Sequence, residues 1–151
     1  MKYWLMKSEP SECSIDNLAK LPNQSIEWFG VRNYQARNFM RDEMNKGDLV
    51  LFWHSSCKEP GIYGMVKVTT KAHPDSTQFD INSEYYDPKS TTNTPRWWCV
   101  DVKLVKKTPF VSIEELRKHP ELENMQVLRR GNRLSITQVT PEEWNFIQNL
   151  I

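Results

Sequence analysis

A mixed α+β fold is what this sequence predicts, and three observations carry the prediction. Two runs, LVLFWH from Leu49 and IYGMVKVT from Ile62, read as neighbouring strands separated by a loop that holds Pro60 and Gly61. Helical spacing is confined to short stretches. Two signatures of the form Ser/Thr-x-x-Glu, starting at Ser112 and Thr140, announce helices in the last third of the chain. Strands that follow one short helix fit an α+β arrangement better than a doubly wound parallel sheet.

In chain order, residues 3–7 form a short strand that the Ser8-Glu9-Pro10 sequence stops, because Pro10 cannot extend a ladder and biases Glu9 away from helix. Residues 14–20 suit a short helix. Ala36, Phe39, Met40 and Met44 recur at helical spacing over 34–44, and Gly47 is placed to end that helix as its C′ residue. The two strands follow. The polar stretch 69–95 carries Pro74, Pro88 and Pro95 and reads as a long loop with one short strand near Phe79. In WWCVDVKLVKK alternation resumes: Trp98, Val100, Val102 and Leu104 share one face, assigned to the core, and Trp97, Cys99, Asp101 and Lys103 share the other. Helices are expected after Ser112 and Thr140 and from Glu121, with a strand over 133–137; Trp144, Ile147 and Ile151 should face the core.

A chain of 151 residues fits one domain, 1–151, able to bury a real core. Six Trp, five Tyr and six Phe concentrate its apolar area in large rings. Twenty Lys and Arg against nineteen Asp and Glu leave a net charge of +1, so any contact with a polyanion must be local. Cys13, Cys57 and Cys99 lack C-x-x-C spacing and point to reduced thiols in a cytoplasmic compartment. The first ten residues are too polar for a signal-peptide core, and no run is long enough to cross a membrane. A monomer is the expectation.

Several chemistries lack a pattern. The glycines are scattered singly, so no phosphate loop or other cofactor motif is formed, and no His, Cys or carboxylate pair has zinc-site spacing. His54, His73 and His119 stand apart. No residue is assigned a catalytic role.

The segment WFGVRNYQARNFMR repeats an Arg-Asn pair after five residues, which on a helix turns the second pair about 140° from the first. Asn33 suits an N-cap accepting from the N–H of Gln35 or Ala36, which leaves Arg32 in the entering loop, while Arg37 and Asn38 lie inside the helix as a surface or buttressing feature. Two readings of the first pair stand: simple capping with an ion pair, or a polar ligand site at a helix start. Trp28 and Phe29 precede it, with Gly30 allowing a sharp turn. Tyr85 and Tyr86 lie in the polar loop without periodicity to bury them, and Trp97 starts its strand on the less apolar face. Rings on loops beside an Arg-bearing helix start are what a base-stacking site needs.

These motifs resemble the EVE domain family. YWLMKSEP at 3–10, WFGVRNYQARNFMR at 28–41, GDLVLFWHS at 47–55, GIYGMVKV at 61–68, YYDPK at 85–89, PRWWCVDV at 95–102 and RLSITQVT at 133–140 match it in family order over nearly the whole chain. The resemblance implies a PUA-like fold, a bent mixed sheet forming a pseudo-barrel flanked by short helices, similar to YTH domains. It also implies non-catalytic recognition of a modified base, a modified cytosine, in DNA or RNA through an aromatic cage. Carried over by residue, Ser8 and Glu9 face the base, Trp28 is one wall, and Gly30, Val31, Arg32 and Asn33 form the adjoining loop. Tyr85 and Tyr86 supply an opposing wall, and His54 and Ser55 end the strand beside them; Trp97 is a candidate wall from its strand position alone. Lys7, Arg32, Arg129, Arg130 and Arg133 are the expected phosphate contacts. The rival readings are an enzyme acting on a flipped base, with Glu9 or His54 as acid or base, and a module for a small molecule or protein.

Overall fold

The computed structural model describes residues 1–151. In chain order its elements are β1 (Tyr3–Ser8), α1 (Pro10–Cys13), α2 (Ile15–Lys20), β2 (Ser25–Glu27), α3 (Tyr34–Asn38), β3 (Leu49–His54), β4 (Gly61–Val68), β5 (His73–Pro74), β6 (Trp98–Cys99), β7 (Asp101–Ser112), α4 (Ile113–Arg117), β8 (Ile136–Val139) and α5 (Pro141–Gln148). Six strands join in the order β2-β7-β4-β3-β1-β8, and β5 pairs with β6 alone. Only β1 and β3 run parallel, from Tyr3 opposite Leu49 to Ser8 opposite His54. The sheet is therefore mixed, and with β2 and β8 as its edges it bends without closing into a barrel. Irregular pairing at Phe52/Trp53, Ile62/Gly64 and Met65/Val66 supplies local bends.

Both faces of the sheet are covered, and the strand sequences explain why. In β3, Val50 and Phe52 enter one core while Leu51 and Trp53 enter the other. A strand buried on both faces reads as a continuous apolar run, as LVLFWH does. The first core holds Trp4, Met6, Trp28, Met40 and Val100; the second holds Leu5, Leu122, Val139, Trp144 and Ile147. Gly64 lets α2 approach β4: a Cβ there would lie 2.6 Å from Ile15 Cδ1.

Capping chemistry places most helix starts correctly. Ser14 and Asn17 form a full capping box at α2, and Thr140 and Glu143 form another at α5. Ser112 accepts from the N–H of Glu115 at α4, and Asn33 accepts from that of Ala36 at α3. After Asn38 the helix widens into a π turn over Phe39–Glu43 and stops at Met44. Gly47 is consequently not its C′ residue; with φ +91° it forms the next turn, where its N–H donates to Val68 O at 2.8 Å.

Other expectations fail for local reasons. The strand expected near Phe79 is a 3-10 turn, Ser76–Phe79, because Asp75 caps it through the N–H of Thr77. In place of a helix from Glu121 come two 3-10 turns, Pro120–Leu122 and Gln126–Leu128, and the buried Leu122, Met125 and Leu128 recur every third residue, the 3-10 period. The side chain of Asn132 takes the N–H of Leu134 and so delays the last strand to Ile136. No helix is long and apolar enough to cross a membrane.

Candidate nucleic-acid interface

The carboxyl ends of the parallel pair β1 and β3 meet at one rim of the sheet. Ser55 N–H donates to Ser8 O at 3.0 Å, and Lys7 N–H donates to Ser135 O at 2.8 Å, which brings the segment before β8 to the same place. Pro10 then starts the single turn α1, pinned by Ser8 Oγ donating to Cys13 O at 2.6 Å. From the opposite side β2 leads into Trp28, whose N–H donates to Val100 O at 2.9 Å. Between these segments lies a cleft of about 540 Å³. Its volume suits a small planar ligand, since ligand clefts run from roughly 300 to 1,000 Å³.

Of the expected residues, Lys7, Ser8, Glu9, Trp28, Gly30, Val31, Arg32, Ser55, Tyr85 and Arg133 line this cleft. Trp28 is buried to 8% exposure and meets Phe52 edge-on at 5.7 Å, so it is a core residue with one edge at the cleft. Tyr85 packs edge-on against Phe29 at 5.9 Å and lies over Gly30, where a Cβ would fall 2.8 Å from its Cζ. Gly30 has φ +84°, a conformation that side chains disfavour, and its bare Cα gives the phenol its seat. The Tyr85 hydroxyl donates to the Glu12 carboxylate. Burial, and then Glu12, push that phenol well above its ordinary pKa. Burial also lowers the Lys7 pKa.

The expected phosphate role of Arg32 is not open to it. Nε and Nη2 donate to Tyr85 O at 3.3 and 2.7 Å, Nη2 also to Thr77 Oγ1 at 3.1 Å, and Nη1 to Asp75 Oδ2 and Val31 O at 3.1 Å. A guanidinium has five N–H donors, and these contacts use them all. Arg32 is a strut holding the Tyr85 backbone. Its anchor, Asp75, is 1% exposed and also accepts the Gly30 N–H at 2.8 Å.

The other residues named from the sequence lie outside the cleft. Trp97 is no wall of the cleft: it is 6% exposed, donates from Nε1 to Asp87 Oδ2 at 2.8 Å and stacks on Tyr34 at 4.9 Å. Trp98, assigned to the core, instead borders a separate hollow with Lys46 and Lys71, because β6 pairs with β5 outside the main sheet; Val100 and Val102, next to and within β7, keep their expected place in the core. His54 is buried; its Nε2 accepts the Ile15 N–H at 3.1 Å and its ring stacks on Tyr63 at 3.8 Å. Burial lowers its pKa. Asn33 is spent as the α3 cap, and Tyr86, Arg129 and Arg130 are exposed outside the cleft.

The second pair is the buttress expected of it. Arg37 donates to Arg96 O at 2.8 Å and to Asn38 Oδ1, with its guanidinium 4.6 Å from the Tyr34 ring centre. Glu12, Cys13 and Glu27 also line the cleft, although no sequence motif marks them as site residues, and Phe29 of the 28–41 motif joins them. Glu12 is within reach of sequence reasoning, since a helix started by Pro10 returns it one turn after Glu9. Three carboxylates, Glu9, Glu12 and Glu27, thus share the lining with Lys7, Arg32 and Arg133.

Comparison with known proteins agrees with this architecture. A family model described as EVE domain matches residues 2–150. Thymocyte nuclear protein 1 of Gallus gallus is 43% identical over 98% of this chain and 68% of its own length; the Homo sapiens protein is 42% identical over 98% and 73%. Among solved structures, a Pseudomonas syringae protein superposes with TM-score 0.92 at 44% identity, covering 98% of both chains. Human THYN1, described as in complex with 5-methylcytosine containing DNA, superposes with TM-score 0.93 at 42% identity, covering 99% of this chain and 97% of the other.

Proposed function

This chain belongs to the EVE domain family, and on that premise we propose that it binds a modified base, specifically a modified cytosine in DNA or RNA, without acting on it chemically. The observation that carries the reading is the cleft lined by both Trp28 and Tyr85 beside the cations Lys7 and Arg133. The base enters an aromatic cage in which Tyr85 offers its ring and the cleft-facing edge of Trp28 bounds the other side. The human relative described with 5-methylcytosine DNA supports the same ligand class here.

Extruding a base costs a few kcal/mol, which stacking at roughly 1–3 kcal/mol per base and edge hydrogen bonds offset. Glu9 accepts from the cytosine amino group, the partner a carboxylate suits. A buried methyl group contributes about 0.8 kcal/mol, or about fourfold in affinity, so discrimination by the methyl alone is modest. Lys7 and Arg133 contact the flanking phosphates, with Arg129 and Arg130 following on the same loop. The protein acts as a monomer in an intracellular compartment, consistent with its three free cysteines.

The test is a calorimetric titration with short oligonucleotides carrying cytosine or 5-methylcytosine, at two salt concentrations. Tighter binding of the methylated strand that weakens with salt is the expected result. No binding of either strand overturns the reading. Mass spectrometry of the recovered oligonucleotides separates a binder, which leaves the mass unchanged, from an enzyme.

A further inference from the structure

Beside the cleft, β2, β5 and β6 bring three side chains of metal-binding chemistry to one point. Cys99 Sγ lies 3.9 Å from His73 Nδ1, and Glu27 Oε2 lies 3.8 Å from the same nitrogen. All three ligand atoms fall within 4.8 Å of one another. We propose that Glu27, His73 and Cys99 form a site for a divalent transition metal of the zinc class. The proposal stands apart from the base-binding reading and survives or fails without it.

The hydrogen-bond pattern of His73 is the first argument. Its Nε2 is 2.8 Å from Asp101 Oδ1, an acceptor, so that nitrogen carries the hydrogen. In a neutral ring Nδ1 then presents a lone pair. Yet Nδ1 faces the Glu27 carboxylate and the Pro74 carbonyl oxygen, the latter at 3.1 Å. Electron-rich atoms converging on a lone pair need a cation among them, either a proton on Nδ1 or a metal ion.

Cys99 favours the metal. A proton on Nδ1 satisfies the two oxygens but leaves the Cys99 thiol, 0% exposed, as apolar filling of the first core only. A zinc ion uses all three groups. With Zn–S near 2.3 Å and Zn–N and Zn–O near 2.0–2.2 Å, tetrahedral ligand atoms stand about 3.4–3.6 Å apart, so the two pairs that share Nδ1 contract by a few tenths of an ångström and the sulfur–carboxylate pair, within 4.8 Å here, closes by up to about 1.2 Å. On binding, the thiol releases its proton, and thiolate plus carboxylate neutralise the dication. Asp101 bonded to the far nitrogen is the arrangement that orients a metal-ligating imidazole. The fourth position falls to water or to Pro74 O. The His73 and Glu27 side chains are 33% and 27% exposed, which leaves an entry path.

Cobalt(II) titrated into the intact protein at neutral pH is the test, followed by zinc(II) as competitor. The expected result is one equivalent bound, with a thiolate-to-cobalt charge-transfer band and tetrahedral d–d bands that zinc abolishes. Cys99→Ser should remove the charge-transfer band. Because a substitution at that buried position can also unfold the chain, the partly exposed His73→Gln and Glu27→Gln and the orienting Asp101→Asn carry equal weight, each weakening cobalt binding by ~10–100-fold. The double variant Cys13→Ser/Cys57→Ser should bind as the parent does. Absence of the band, a band lost in the Cys13/Cys57 variant, or unchanged affinity in His73→Gln overturns the site and leaves His73 as an imidazolium between Glu27 and Asp101.

Discussion

The two faces of the sheet are closed by different means. On one, α5 and the turns after α4 lay Leu122, Met125, Val127, Trp144 and Ile147 against Leu5, Leu51 and Trp53, and Tyr3 stacks on Trp144 at 4.5 Å. On the other, the long polar loop after β4 is tied down by Asp75 and by Gln78, which is 0% exposed. Gln78 Nε2 donates to Asp75 O and Trp97 O at 2.8 and 2.7 Å, while its Oε1 accepts from the N–H groups of Arg96 and Trp97. Apolar packing fills space wherever side chains collapse; a loop fixed by a few directed bonds does not have to. The face with the polar loop has its own apolar core as well, and the cleft lies where the loop's Tyr85 meets it.

Substitutions in the two faces should break or sharpen this contrast. The largest effect is expected from Asp75→Ala, which strips the partner from a largely buried Arg32 and should cost about 3–5 kcal/mol in urea unfolding. It should also release Tyr85 and lower oligonucleotide affinity beyond what lost stability explains. Leu122→Ala on the closed face should cost about 2–5 kcal/mol yet leave affinity untouched at temperatures where the variant is folded. Equal losses of affinity in both variants would erase the distinction between the faces.

Tyr85→Ala comes next, with little effect on stability and a loss of about 1–3 kcal/mol in binding, the contribution of one stacked ring. Gly30→Ala should act on the same ring from below, costing about 1–2 kcal/mol in stability through its positive φ while displacing Tyr85. Binding by Gly30→Ala equal to the parent would detach the phenol from recognition.

The smallest effect concerns pH. His54 is more basic unfolded than folded, so the unfolded chain takes up the proton first, and the stability that its neutral form supplies is present above about pH 6.5 and lost as pH falls below it. In the metal-free protein His73 is opposed in sign: burial lowers its pKa, but Asp101, Pro74 O and Glu27 raise it net, giving stability present below about pH 6.5 and lost as pH rises through its folded pKa. Thermal denaturation of His54→Gln across that range isolates the two. A stability profile that stays unchanged in this variant would remove His54 from the acid response.

Trp28 shows how far a site residue can be read without the fold. Its place in the cleft follows from the family motif, and as a cage wall alone it would be expendable to the fold. Packed on Phe52 in the core, it instead predicts a large destabilisation on Trp28→Ala, which makes Tyr85 the cleaner probe. Arg32 and Trp97 are the right residues in a different role. The motif sets both before a ligand, whereas both hold the loop that meets one.

What the sequence alone determined was local or familial. Helix starts at Ser14, Asn33, Ser112 and Thr140, the strand from Leu49 and the EVE motifs depend on side chains within a few residues or on ordered strings of them. Only the tertiary structure decided where Arg32 spends its donors, which of two adjacent tryptophans is buried and that Glu27, His73 and Cys99 meet. The reason is separation along the chain: Asp75 reaches Gly30 across 45 residues and Tyr85 reaches Glu12 across 73. Periodicity says which way a strand residue faces within its own strand, but it is silent on the partner that a loop brings from so far away.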